Sequence, residues 1–216
     1  MEVRDALRST ASLRDFTDEP IADDVLVSIL DDARFAPSGG NRQPWRVVVV
    51  KDVALRRQLA ELMRLVWDEY CGARAAGSTP FAFGRSIDAA PIPTPNPVID
   101  EIERVPAVLA IAADLNDIAL MDGALDRPAV VGGASVYPFC WNILLGARDR
   151  GLGGVMTTFL SREEPAAAPL LGLPSGHALA ATIFLGHVGR FPTKLRRRPV
   201  DTFATIDRFD GPALTG

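Results

Sequence analysis

The sequence predicts a three-layer fold, one mixed β-sheet with helices on both of its faces, and two observations carry that expectation. Short apolar runs recur at 46–50, 105–113 and 178–185, the first β-branched and without alternation, the pattern of a strand covered on both sides. Stretches with apolar residues at helical spacing lie between them, so that helices and strands alternate along the chain. With 216 residues and 48% hydrophobic content, the chain is long enough to enclose a substantial core.

The elements follow in order. Residues 21–35 place Val25, Ile29, Leu30 and Ala33 on one helical face, with Asp23 and Asp24 near the start, where acidic groups suit the helix dipole. Ala36-Pro37 ends that helix and opens the turn APSGGNRQPW, after which 46–50 reads as a strand. Leu55, Leu59, Leu62, Met63, Val66, Trp67 and Tyr70 mark a long amphipathic helix. From Gly72 to about Asn96 the composition shifts to Gly, Ala, Ser and Pro, and 72–97 reads as a long loop or lid inside a single domain spanning 1–216. A strand is expected over 105–113 and a helix over 136–150 that Gly151 stops, followed by an extended segment over 155–159. Ser161-Arg-Glu-Glu164 has capping-box spacing for a short helix to Leu171, and 178–185 is the last strand. The polar, irregular stretch from Phe191 onward needs a surface to pack on, and a partner subunit would supply one.

Composition excludes several function classes. A formal net charge of −4 argues against nucleic acid as partner, which needs a broad basic face. Two cysteines and two histidines, far apart in sequence, lead us to expect neither a metal site nor a disulfide framework. The opening MEVRDALRSTASLRDF carries three arginines and no apolar stretch, and no segment approaches the roughly 18 apolar residues of a membrane span, so a cytoplasmic protein is expected.

Three motifs could carry chemistry. In APSGGNRQPW, the glycines permit positive φ, and Ser38, Asn41 and Gln43 lie close together, so backbone N–H groups and carboxamides could face a heterocycle. Ser12-Leu-Arg14 sets a hydroxyl and a guanidinium on one side of an extended segment. Lys194-Leu-Arg196-Arg-Arg198 packs four cations into five residues, a candidate phosphate clamp. Gly151-Leu-Gly153-Gly154 is not a dinucleotide loop, because Met156 occupies the last glycine position and the segment leaves a helix rather than opening one. With no triad, nucleophile elbow or phosphate-cradling loop, the hard chemistry falls to a cofactor.

In combination, RDFTDEPI, APSGGNRQPW, NILLGARDRGLGG, LGLPSG and RRRPV resemble the FMN-dependent nitroreductase family over essentially the whole chain. The resemblance implies an α+β fold with a central mixed sheet, and a homodimer with FMN at the interface. It further implies hydride transfer from NADH or NADPH through flavin N5 to a nitroaromatic, quinone or similar small acceptor. No side chain need act as an acid. Carried over position by position, Ser12 and Arg14 would meet the ribityl-phosphate part of FMN. Pro37, Ser38, Gly39, Asn41 and Gln43 would line the flavin from the partner subunit. Ser135 would be a polar flavin contact, and Thr157, Thr158 and Phe159 would bring backbone N–H groups to the ring near N5. Of Arg196, Arg197 and Arg198, the latter two are favoured as phosphate ligands. The chain departs from the pattern at Thr10 and Ala11, where many relatives are basic, and Asp15 could pair with Arg14. Two rivals remain: a flavin-fragmenting or dehalogenating relative on the same fold, and a non-catalytic flavin-binding protein.

Overall fold

The computed structural model describes residues 1–82 and 89–216. Its helices are α1 (Val3–Ser9), α2 (Asp23–Ala33), α3 (Val53–Ala75), α4 (Pro97–Asp100), α5 (Tyr137–Asp149), α6 (Phe159–Arg162) and α7 (Glu164–Leu171). Its strands are β1 (Trp45–Val49), β2 (Ala107–Asp114), β3 (Gly153–Thr157) and β4 (His177–Gly186), ordered β1-β2-β4-β3 in one sheet.

Period-two alternation explains the three layers. Leu109 and Ile111 of β2 and Ile183 and Leu185 of β4 point to one face and pack with Ile29 and Ala33 of α2 and Ile143 and Ala147 of α5. Val108, Ala110 and Phe184 point to the other and pack with Leu59 and Met63 of α3, Ile102 and Leu160. The two central strands are thus apolar at nearly every position because both faces are covered. β1 departs from that expectation: it is an edge strand, with Arg46 exposed and Val47–Val49 only half-buried.

The α+β class and the helices on both faces are as expected, but the pairings are not mixed. β1–β2, β2–β4 and β3–β4 are all antiparallel, and the parallel component is confined to an isolated bridge between Ser12 and Gly154.

Three further differences have local causes. α3 begins on Asp52, whose side chain accepts the Leu55 N–H at 2.7 Å, and runs to Ala75, past the expected start of the loop. Gly72 is helical because a Cβ there would lie 2.0 Å from the Ala90 carbonyl oxygen: the glycine admits a crossing segment rather than a turn. That segment is strapped along α3 by Trp67 Nε1 and Arg64 Nη1, which donate to the Thr94 carbonyl at 2.7 and 2.9 Å. The part of the expected lid at 83–88 lies outside the described residues. β3 stops at Thr157, and Phe159 is already helical. The capping box does not form, since Ser161 lies inside α6 with a buried, unpartnered Oγ, and α7 begins afresh beside Pro165.

Gly151 stops α5 at φ 76°, as expected. Beyond His187 the only helical turn is Val200–Thr202 among the described residues, and Phe203, Phe209 and Leu214 are exposed. Phe191 is held by the Arg148 guanidinium, 3.8 Å above its ring.

Candidate functional site

The segment carrying Ser12 and Arg14 is laid against the free edge of β3. The Leu13 N–H donates to the Gly154 carbonyl at 2.9 Å, and the Thr17 N–H to that of His187 at 2.9 Å. Two glycines make that approach possible: a Cβ at Gly153 would sit 3.0 Å from Leu13 Cδ1, and one at Gly186 2.7 Å from Phe16 Cγ. The GLGG turn therefore serves the docking of the N-terminal segment rather than a nucleotide.

Docking places Arg14 at a cavity of about 590 Å³ that Trp67, Tyr70, Arg74, Asn96 and Thr157–Phe159 also line. Of the expected residues, the structure brings together Arg14, Thr157, Thr158 and Phe159, with Ser12 exposed two residues away. Among the described residues Arg14 has no ion-pair or hydrogen-bond partner; Asp15 does not neutralise it. The first turn of α6 leaves N–H groups without helical acceptors directly beside Thr157.

Asn96 is the residue that sequence reasoning missed. It stands at the N-cap of α4, yet its side chain makes no cap; the carboxylate of Asp100 accepts the Asn96 N–H at 2.6 Å instead. The residue is 2% exposed, and among the described residues both Oδ1 and Nδ2 are buried without a partner, as is Thr157 Oγ1. An Asn before a proline that opens a helix reads as an ordinary cap, so the sequence signal pointed elsewhere. A buried carboxamide with neither atom satisfied costs stability, and this one lies on the wall of the Arg14 cavity.

The decapeptide turn is strained and mostly self-satisfied. Gly40, Asn41 and Gln43 all have positive φ, at 60°, 53° and 51°. The Gly39 N–H donates to Ser135 Oγ at 3.0 Å and the Gln43 N–H to Ser38 Oγ at 3.0 Å, while those of Asn41 and Arg42 close turns within the loop. Several N–H groups expected to face a ligand are thus consumed, and the Gln43 and Asn41 carboxamides bond each other at 3.2 Å. Ser135 is buried and fastens this turn. Pro37, Gly39, Asn41 and Gln43 remain exposed, and Trp45, stacked on Phe139 at 4.7 Å, anchors them to the sheet.

This turn enters β1, whereas Arg14 and Thr157 flank β3, and β1 and β3 are the two outer strands. Three strand spacings, about 14 Å, separate those edges. The turn and the Arg14 cavity thus lie at opposite edges of the sheet. Beside the turn lies a second, apolar cavity of about 620 Å³ lined by Leu115, Ile118, Leu120, Val130 and Tyr137. Its loop is held by Asp122, whose carboxyl is kept below the usual range by the Val130 N–H and by Arg127.

The basic run is a third, separate place. Arg196, Arg197 and Arg198 are exposed, and Arg197 lines a cavity of about 510 Å³ with Arg8, Thr193 and Lys194. Arg198 is not brought to it. Thr10 is buried with its hydroxyl donating to the Ala6 carbonyl at 2.8 Å, and Arg8 lines the nearby cavity. Among the described residues no group of three or more His, Cys, Asp or Glu side chains is placed to hold a metal, and no helix is long and apolar enough to cross a membrane.

Comparison with known proteins gives a consistent result. The model of the nitroreductase family matches residues 7–78. The chain is 27% identical to an NADH dehydrogenase of Thermus thermophilus, over 93% of this chain and 94% of that one. It is also 27% identical to a nitrobenzene nitroreductase of Ectopseudomonas oleovorans, over 85% and 86%. Among solved structures it resembles the NADPH:FMN oxidoreductase of Vibrio harveyi in complex with NAD+, with a TM-score of 0.69 and 21% identity over 96% of this chain and 77% of that one.

Proposed function

Because the chain belongs to the nitroreductase family, we propose that it works as a homodimeric FMN oxidoreductase, reducing a small aromatic acceptor at the expense of NADH or NADPH. The observation that carries this reading is the unpartnered Asn96 carboxamide on the wall that also presents Arg14 and Thr157–Phe159. Those groups fit the pyrimidine side of a flavin, which offers adjacent donors and acceptors and gains negative charge on reduction. When bound, FMN would accept a hydride at N5 and return two electrons to the second substrate.

The protein's part is to hold and polarise. Asn96 and the Thr157 hydroxyl would pair with the donor–acceptor edge of the ring. Arg14 would balance charge, and the backbone N–H groups of Thr158 and Phe159 would stabilise the negative charge that grows during transfer. Ser12 would meet the ribityl chain. Arg197, aided by Arg8 and Lys194, is the cation best placed for a phosphate, and Arg198 becomes secondary. Pro37–Gln43, fixed by Ser135, would come from the partner subunit. The location of the two halves on opposite sheet edges supports this arrangement, and so do the exposed Phe203, Phe209 and Leu214 of the tail, which a partner would cover.

FMN-loaded protein should oxidise NADH or NADPH in a manner that depends on an added nitroaromatic or quinone. Failure to oxidise either nicotinamide would overturn the reading. Oxidation coupled to halide release from a halophenol, with no nitro reduction, would favour the dehalogenating alternative.

A further inference from the structure

Trp67, Tyr70 and Arg74 are spaced i, i+3 and i+7 on α3 and share the face that lines the Arg14 cavity. Trp67 and Tyr70 stack with centroids 5.6 Å apart at 13°, and Phe159 lies 5.8 Å from Trp67. The Trp67 ring cannot turn freely, because its Nε1 is committed to the Thr94 carbonyl. Phe81 extends the group, 6.4 Å from Tyr70, and the result is a fixed aromatic wall of stacked rings against which a planar ring can pack.

Arg74 stands at the end of that wall. Its guanidinium lies 5.9 Å from the Tyr70 ring, and its Nη1 reaches the Tyr70 hydroxyl at 3.4 Å. Nearby arginines are neutralised, Arg64 by Asp68 and Asp100, and Arg162 by Glu69 at 2.7 Å. Among the described residues Arg74 meets no carboxylate, and the cavity lining holds two arginines and no acidic side chain. In a chain of net charge −4, that is a local excess of positive charge. The α3 dipole favours a cation in the last helical turn, but does not account for an acid-free lining.

We propose that this cavity selects planar aromatic acceptors bearing an anionic substituent, a carboxylate or sulfonate, with the ring on Trp67 and Tyr70 and the anion on Arg74. The inference rests on the flavin reading, with Arg14 serving the cofactor and Arg74 the acceptor. For a nitro acceptor the balance is ordinary. One nicotinamide hydride and one proton convert the nitro group to nitroso with release of water, and the carboxylate is unchanged.

The test compares 4-nitrobenzoate with the neutral 4-nitrobenzamide on the FMN-loaded protein. We expect kcat/KM to favour the benzoate by about tenfold, mainly through KM, as one charge-assisted contact at an exposed rim can supply. In Arg74→Gln that ratio should fall to about one, and Arg74→Lys should restore part of it. Benzoate, which cannot be reduced, should perturb the flavin absorbance or tryptophan fluorescence with a dissociation constant about tenfold higher in Arg74→Gln. A ratio near one in the unaltered protein, a ratio that survives Arg74→Gln, or FMN lost from Arg74→Gln would each overturn the proposal. Absence of turnover with both compounds would instead count against the flavin reading, and benzoate binding would still decide the role of Arg74.

Discussion

Arg14→Ala should raise the dissociation constant for FMN between about tenfold and a hundredfold while moving the thermal midpoint of the apoprotein by no more than about 2 °C. The first number follows from what Arg14 would lose: hydrogen bonds to an anionic ligand, each worth about 1.5–3 kcal/mol in mutational series. The second follows from what it would not lose. The side chain is exposed and, among the described residues, supports no other group, and such surface changes stay within about 0.5 kcal/mol. The docking of the segment itself depends on main-chain bonds of Leu13 and Thr17 and on Gly153 and Gly186, none of which the substitution touches. Titration of apoprotein with FMN, followed by flavin fluorescence quenching, gives the first quantity, and calorimetry the second. Unchanged FMN affinity would mean that the cofactor does not reach this cavity wall.

Asn96→Leu should move two quantities in opposite directions. In the apoprotein, removing a carboxamide whose oxygen and nitrogen are both buried and unpaired, and replacing it with an apolar group of similar size, relieves about 1–3 kcal/mol. At about 2–4 °C per kcal/mol for a chain of this size, the apoprotein midpoint should rise by a few degrees. FMN affinity should fall by about tenfold or more, because the same two atoms are the ones left for the ring. A residue kept for structure alone predicts the reverse, a lower midpoint and intact affinity. Neither Asp100, which holds the Asn96 backbone, nor Pro97 is disturbed, so the comparison isolates the carboxamide.

Much of the fold was legible because its signals are local. The runs that became β2 and β4 show their burial in composition alone, and α2 and α5 match their helical spacing to within about two residues. Legibility failed where a distant segment decides. Gly72 looked like the start of a loop, yet the Ala90 backbone crossing α3 requires it. Ser161 had capping spacing, but the chain was already helical from Phe159. Of the residues singled out in the sequence, Arg14 and Thr157–Phe159 line one cavity. The carboxamides of Asn41 and Gln43 looked free to bind a ring, and in the folded turn they bind each other. Asn96 was hidden because its sequence neighbours mimic a helix cap, and only three-dimensional burial reveals a side chain with nothing to bond. That the decapeptide turn and the Arg14 cavity lie at opposite sheet edges depends on strand order, which local patterning does not encode.

The most direct test of the central claim is the visible absorbance spectrum of the purified protein incubated with FMN and freed of excess. The account predicts a retained flavin band in the blue, perturbed relative to free FMN, with FMN recovered on denaturation. A protein that leaves the column colourless, and does not alter the spectrum of added FMN, would contradict it.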